Sequence, residues 1–200
     1  MIRFLLKLII CLLLAGAAGT AYLATRSGDP LYSVYEWINP GRFQQYDPLI
    51  RSVATDHHLD PMLLKAVVWR ESRFDPKKLG GAGERGLMQV SEKAANEWAR
   101  ENKIENFHVE DLFDPKTNLQ AGTWYLHRAV QHWEIQRDPI PFALAEYNAG
   151  ASRAQRWAGG DDTSAISADT FRRNIDFPGT RGYVDSIIAR FQFYKRRGRM

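Results

Sequence analysis

The chain has 200 residues, 44% of them hydrophobic and 25% charged, which is the balance of one folded domain with room for an appendage. Its single cysteine, Cys11, excludes an intramolecular disulfide and a cysteine-built metal cluster. A net charge of +4 favours contact with anionic polymers or lipid heads, but it is diffuse, and no reading helix or aromatic platform accompanies it to indicate nucleic acid.

The N-terminus reads as an address. Arg3 and Lys7 precede an uncharged run from Leu8 to Ala24, 17 residues long, near the lower limit of ~17 for a spanning helix. Including Phe4, Leu5 and Leu6, with Lys7 snorkelling, makes a span comfortable. The flanking positive charge predicts the N-terminus in the cytoplasm and the body outside. Two outcomes stay open for residues 1–26. One is an uncleaved inner-membrane anchor, the favoured reading. The other is a signal peptide cut among Ala15-Gly16-Ala17-Ala18-Gly19, which would release the protein. Residues 27–41 read as a linker broken at Asp29-Pro30 and Asn39-Pro40. Residues 42–200 read as the functional domain, ending in a basic cluster, Lys195-Arg196-Arg197-Gly198-Arg199, expected to be a solvated, frayed tail.

The body reads as mainly α. Asp-Pro pairs at 47–48, 60–61, 114–115 and 138–139 precede apolar runs at helical spacing, with Asp suited to capping and Pro to the first turn. Helices are predicted near 48–58, 61–72, 91–102, 115–133, 139–149, 151–158 and 181–195. The last shows Val184, Ile187, Ile188, Phe191 and Tyr194 on one face, and 115–133 shows Leu119, Gly122, Thr123, Leu126 and Val130. Strand signals are scarce, so the glycine-rich loop Gly80-Gly81-Ala82-Gly83 supports one short ribbon at most.

Three segments carry the chemistry: Glu71-Ser72, Gly86-Leu87-Met88-Gln89, and Ala145-Glu146-Tyr147-Asn148-Ala149-Gly150. Glu71 closes a helix on the face of Leu64, Val67 and Val68. That setting desolvates its carboxyl and raises its pKa, and the negative helix end pushes the same way. A glutamate protonated near neutral pH can serve as a general acid. Tyr147 falls on the core side with its hydroxyl available, and Asn148 can donate and accept. Glu146 could be a second acid on the far side of a sugar, which would permit hydrolysis; a structural role at the helix end is the favoured reading. The five histidines show no metal spacing, and Trp69, Trp98, Trp124, Trp133 and Trp157 read mostly as core.

Taken in order, Glu71-Ser72, Gly86–Gln89, Tyr147–Gly150 and Thr180-Arg181-Gly182-Tyr183-Val184 resemble the soluble-type lytic transglycosylases, whose catalytic domain is similar to goose-type lysozyme. The resemblance covers about residues 45 to 195, including a central helix beginning near Leu112-Phe113-Asp114-Pro115. It implies a lysozyme-like helical domain that cuts peptidoglycan between N-acetylmuramic acid and N-acetylglucosamine, with no metal or cofactor. It implies Glu71 as catalytic acid and then base, yielding 1,6-anhydromuramic ends. Tyr147 would orient Glu71, while Gln89, Asn148 and Tyr183 would line the sugar cleft, with Ser72 supporting. The chain departs from that pattern in four places. Glu146 stands where alanine is common, and Gly80 or Gly81 where a loop serine is common. Val90-Ser91-Glu92 replaces a hydrophobic-Met-Pro run, and Gly179 replaces a glutamate. The remaining alternatives are a muramidase that uses water and a peptidoglycan-binding scaffold that no longer cuts.

Overall fold

The computed structural model describes residues 2–27, 34–36, 38–160 and 165–198. It divides into two compact units, Met1–Gln45 and Tyr46–Met200. The first holds α1 (Ile2–Ser27) and the short α2 (Pro40–Gln44). The expected spanning run lies within α1, although the side chains at 20 and 23–27 lie outside the described residues. Among the described residues, no helix is long and apolar enough to cross a membrane. Asn39-Pro40, expected as a linker break, starts α2; Asp29-Pro30 lies outside the described residues.

The second unit is helical. It comprises α3 (Asp47–Asp56), α4 (Pro61–Ser72), α5 (Glu92–Glu101), a 3-10 turn at Val109–Phe113, α6 (Pro115–His132), α7 (Ile140–Ala149), α8 (Ala151–Trp157), α9 (Ala168–Asn174) and α10 (Pro178–Arg197). The Asp-Pro signals act in two ways. Asp60 and Asp114 cap α4 and α6, their side chains accepting from Met62 N–H and Thr117 N–H. Asp47 instead lies inside the first turn of α3, 2.8 Å from the buried Nζ of Lys65. Burial pushes its carboxyl above the ordinary range despite that cation.

Two helices form the core. In α4 every residue from Leu63 to Trp69 is buried, so the predicted stripe is a helix enclosed on all sides, packed by α3 and α10. In α7, Phe142 to Ala145 are fully buried beneath α6, α8, α9 and α10. On α10 the buried stripe runs Thr180, Tyr183, Val184, Ile187, Arg190 and Tyr194. Ile188 and Phe191, expected on this face, keep part of their surface. The fully buried Arg190 lies over the Trp69 ring at 4.2 Å from its centroid. The C-terminal cluster differs from expectation too. Lys195 to Arg197 form the last turn of α10, where cations suit the helix dipole, and Lys195 pairs with Asp60 at 2.9 Å. The glycine loop carries two isolated bridges, Leu79 with Arg85 and Arg85 with Val90.

Candidate active site

The end of α4 is turned sharply. Arg73 and Phe74 adopt left-handed conformations, with φ of 55° and 62°, and Phe74 is buried. The chain therefore leaves the helix after Ser72, next to Glu71, and runs into the loop from Lys78 to Ser91. This loop, the start of α5, Tyr125 on α6, and Tyr147 and Asn148 at the end of α7 enclose a cleft of about 580 Å³ with Glu71 on its wall.

Asn118 of α6, fully buried, pins the Gly-Leu-Met-Gln segment. It accepts from the Met88 N–H at 2.8 Å and donates to the carbonyls of Arg85 and Leu112 at 2.7 and 2.8 Å. Gly86 is required there: its φ is +76°, and a Cβ would stand 2.3 Å from the Asn118 amide nitrogen. Gln89 continues the turn at φ 48°, its amide donating to the carbonyls of Lys78 and Gly86 at 3.0 and 3.1 Å. Much of the Gln89 side chain thus holds the cleft wall in shape.

Glu71 sits where burial raises its pKa to about 7. The Tyr183 hydroxyl, Arg70 and Lys78 oppose that rise, and Glu84 adds to it. The Tyr183 hydroxyl donates to Oε1 of Glu71 at 2.6 Å. Burial and the neighbouring Glu71 push both Tyr183 and Tyr147 well above the ordinary phenol range, so both stay protonated donors. With Oε1 occupied as an acceptor, a proton on Glu71 belongs on Oε2. Lys78 Nζ donates to the Glu71 backbone carbonyl, closing the helix end.

The expected residues take distinct places. Gln89, Tyr147 and Asn148 line the cleft with Glu71. Orientation of Glu71 was expected from Tyr147; the hydrogen bond comes from Tyr183 on α10. The Tyr147 hydroxyl goes instead to the Met88 carbonyl at 3.0 Å, its ring edge-on to Tyr125 at 5.8 Å. Asn148 accepts from Thr180 at 2.8 Å. Ser72, expected as a support beside the acid, is 3% exposed, and its hydroxyl donates to the Val68 carbonyl at the helix end. Glu146 turns away, its carboxylate accepting from Trp133 Nε1 and meeting His132 Nδ1, both at 2.7 Å. Sequence reasoning passed over Glu84, Lys78 and Tyr125, which also line the cleft. The loop glycines were the one signal near the first two.

The fold is that of the lytic transglycosylases. An inactive mutant of the lytic transglycosylase Slt from Pseudomonas aeruginosa superposes with a TM-score of 0.69 at 25% identity, over 78% of this chain and 25% of that one. The soluble lytic murein transglycosylase of Escherichia coli K12 is 30% identical over 151 residues, 75% of this chain and 23% of its own length. Membrane-bound lytic murein transglycosylase F of Desulfosudis oleivorans is 35% identical over 112 residues, 54% of this chain and 23% of its own. The chain thus spans about a quarter of the length of these two relatives. The family model of the transglycosylase SLT domain matches residues 48–170. The chain belongs to the transglycosylase SLT-domain family.

Proposed function

We propose that the chain is a peptidoglycan lytic transglycosylase held at the inner membrane by its N-terminal helix, with Glu71 as its one catalytic residue. The observation that carries this is the state of Glu71: buried at a helix end, with a pKa near 7, fixed through one oxygen by Tyr183. A carboxylic acid so poised can give its proton at neutral pH and then take another. Glu71 protonates the oxygen joining N-acetylmuramic acid to N-acetylglucosamine, and the C1–O bond breaks. The acetamido group of the substrate stabilises the positive ring, so no enzyme nucleophile is required. The Glu71 carboxylate then removes the proton of the C6 hydroxyl as that oxygen attacks C1. A 1,6-anhydro end forms, Glu71 regains its proton, and no water is consumed.

Gln89, Tyr147 and Asn148 would contact the sugars, Tyr183 would position Glu71, and Ser72 would act only as support. The commitment of Glu146 to Trp133 and His132 favours a single-acid mechanism. The names of the relatives, murein transglycosylases, support the substrate, and one is membrane-bound. The uncharged run Leu8–Ala24 behind Arg3 and Lys7 supports the inner-membrane attachment and an extracytoplasmic domain.

Digestion of sacculi followed by mass spectrometry tests the reading. Anhydro ends from the parent, and loss of at least ~10³-fold in rate for Glu71→Gln with sacculus binding kept, are expected. Reducing ends would make the protein a water-using muramidase. Binding without release of muropeptides by the parent would make it a scaffold.

A further inference from the structure

The cleft holds a second carboxylate. Glu84 lies on the glycine loop and lines the same cavity as Glu71. Its Oε2 accepts from the Ala82 N–H at 3.1 Å, and its backbone carbonyl accepts from Gly80 N–H at 2.7 Å. Glycine at 80 permits this fold-back, because a Cβ there would stand 2.3 Å from Glu84 Oε2. The adjacent Arg85 does not neutralise it. That guanidinium is taken by the Gly83 carbonyl at 2.6 Å and by Glu110 at 3.3 Å. Among the described residues no cation pairs with Glu84. An unpaired carboxylate facing into a cleft beside a catalytic acid has a direct electrostatic effect on that acid: like charge disfavours ionisation.

We propose that Glu84 is a positioning residue for the proton of Glu71, acting through space on that carboxyl and not on the sugar. The proposal rests on the reading of Glu71 as the acid. Burial is the largest influence holding the Glu71 proton, and Glu84 works in the same direction. The other groups that act on the Glu71 carboxyl come from three elements. Arg70 on the same helix and Lys78 on the loop favour the anion, as does the hydroxyl of Tyr183 from α10. Tyr147 from α7 stays neutral, with Tyr125 of α6 beyond it. Among the influences on Glu71, Glu84 is the acidic one, opposed by two cations and a phenol donor.

The test is a charge series at Glu84 in the full chain, read by the alkaline limb of the pH–rate profile and by a carboxyl 13C titration of Glu71. Glu84→Gln keeps an oxygen for the Ala82 N–H and removes the charge. Its limb and its Glu71 midpoint move to lower pH by about half a unit at low ionic strength, a roughly threefold loss of rate at pH 8 and none at pH 5. Glu84→Lys moves both about twice as far, and Glu84→Asp restores the parent midpoint. Salt shrinks each shift. A residue that only straps the loop would lower kcat equally at every pH and leave the midpoint alone, which overturns the proposal. So does a midpoint that moves to higher pH, or loss of turnover in Glu84→Gln at all pH with the Glu71 titration unchanged. The titration needs no turnover, so it stays decisive even where Glu71→Gln cuts sacculi as fast as the parent and the catalytic reading fails.

Discussion

A glutamate whose pKa rises from 4.5 to about 7 on folding is a site where function and stability oppose each other. Between those values the folded state binds the proton that the unfolded state has released. Stability linked to Glu71 is therefore complete below pH 4.5, declines as pH rises through about 7, and is then absent. Glutamine cannot ionise, so Glu71→Gln is expected to be more stable than the parent by about 3 kcal/mol at pH 8 and equal to it at pH 4, read as the difference in thermal midpoints. A variant less stable than the parent at pH 8 would count against the buried acid. Tyr183→Phe probes the same group with the opposite sign to Glu84→Gln. Its hydroxyl stabilises the anion, so its removal should move the alkaline limb up by about half to one unit, while kcat below the limb falls as Oε1 loses its tether. A limb displaced to lower pH would contradict the 2.6 Å bond. The acid itself was legible in the sequence because Leu64, Val67 and Val68 place Glu71 beside an apolar face. Its partner was not. Tyr147 and Tyr183 both fall on buried helix faces, and helical spacing says nothing about which hydroxyl crosses to an oxygen 112 residues away.

At the scale of elements, α6 supports the cleft wall from behind. Asn118 makes three hydrogen bonds to a segment about thirty residues earlier and to the 3-10 turn, those to Met88 and Leu112 fully buried and that to Arg85 partly so. Asn118→Ala would strand the Met88 N–H and the Leu112 carbonyl, each at ~1–3 kcal/mol, while the Arg85 carbonyl keeps the Val90 N–H at 3.0 Å. A loss of about 3 kcal/mol or more in denaturant unfolding is expected, with a raised KM as the Gln89 wall loosens. Gly86→Ala should do comparable damage through its positive φ and the contact with the same amide. If either variant unfolds like the parent, Asn118 is not the pin. The sequence showed α4, α5, α6, α7 and α8 to within a residue or two because each carries a cap, a proline start or a periodic apolar run. It missed α9, whose seven residues bury only Phe171, and the five-residue 3-10 turn, because neither is long enough to show a period. It also started α10 late, because Gly179 and Gly182 weaken the first turn that Pro178 in fact opens.

At the scale of the whole molecule, the chain carries an apolar helix, α1, ahead of the domain that holds Glu71. Phe4, Leu5, Leu6, Leu8, Ile9, Ile10, Leu12, Leu13 and Leu14 each keep 48% or more of their surface exposed, and they occur all around α1. A side chain of this kind gains ~1.5–3 kcal/mol on leaving water, so half of that over the series is roughly 7–14 kcal/mol, on the scale of the ~8 kcal/mol of a micromolar complex. The proposed inner-membrane attachment rests on this apolar surface. Fractionation of cells expressing the full chain should leave it in membranes after a carbonate wash, at its full mass of 22.9 kDa. With Arg3 and Lys7 on the cytoplasmic side, an alkaline phosphatase fused after residue 200 should be active, because the domain carrying Glu71 then faces the cell wall. A shorter product in the soluble fraction, with the fusion still active, would convert α1 from anchor to leader and leave the site untouched. An inactive fusion would place Glu71 on the wrong side of the membrane from peptidoglycan, and the proposed reaction would have no substrate within reach.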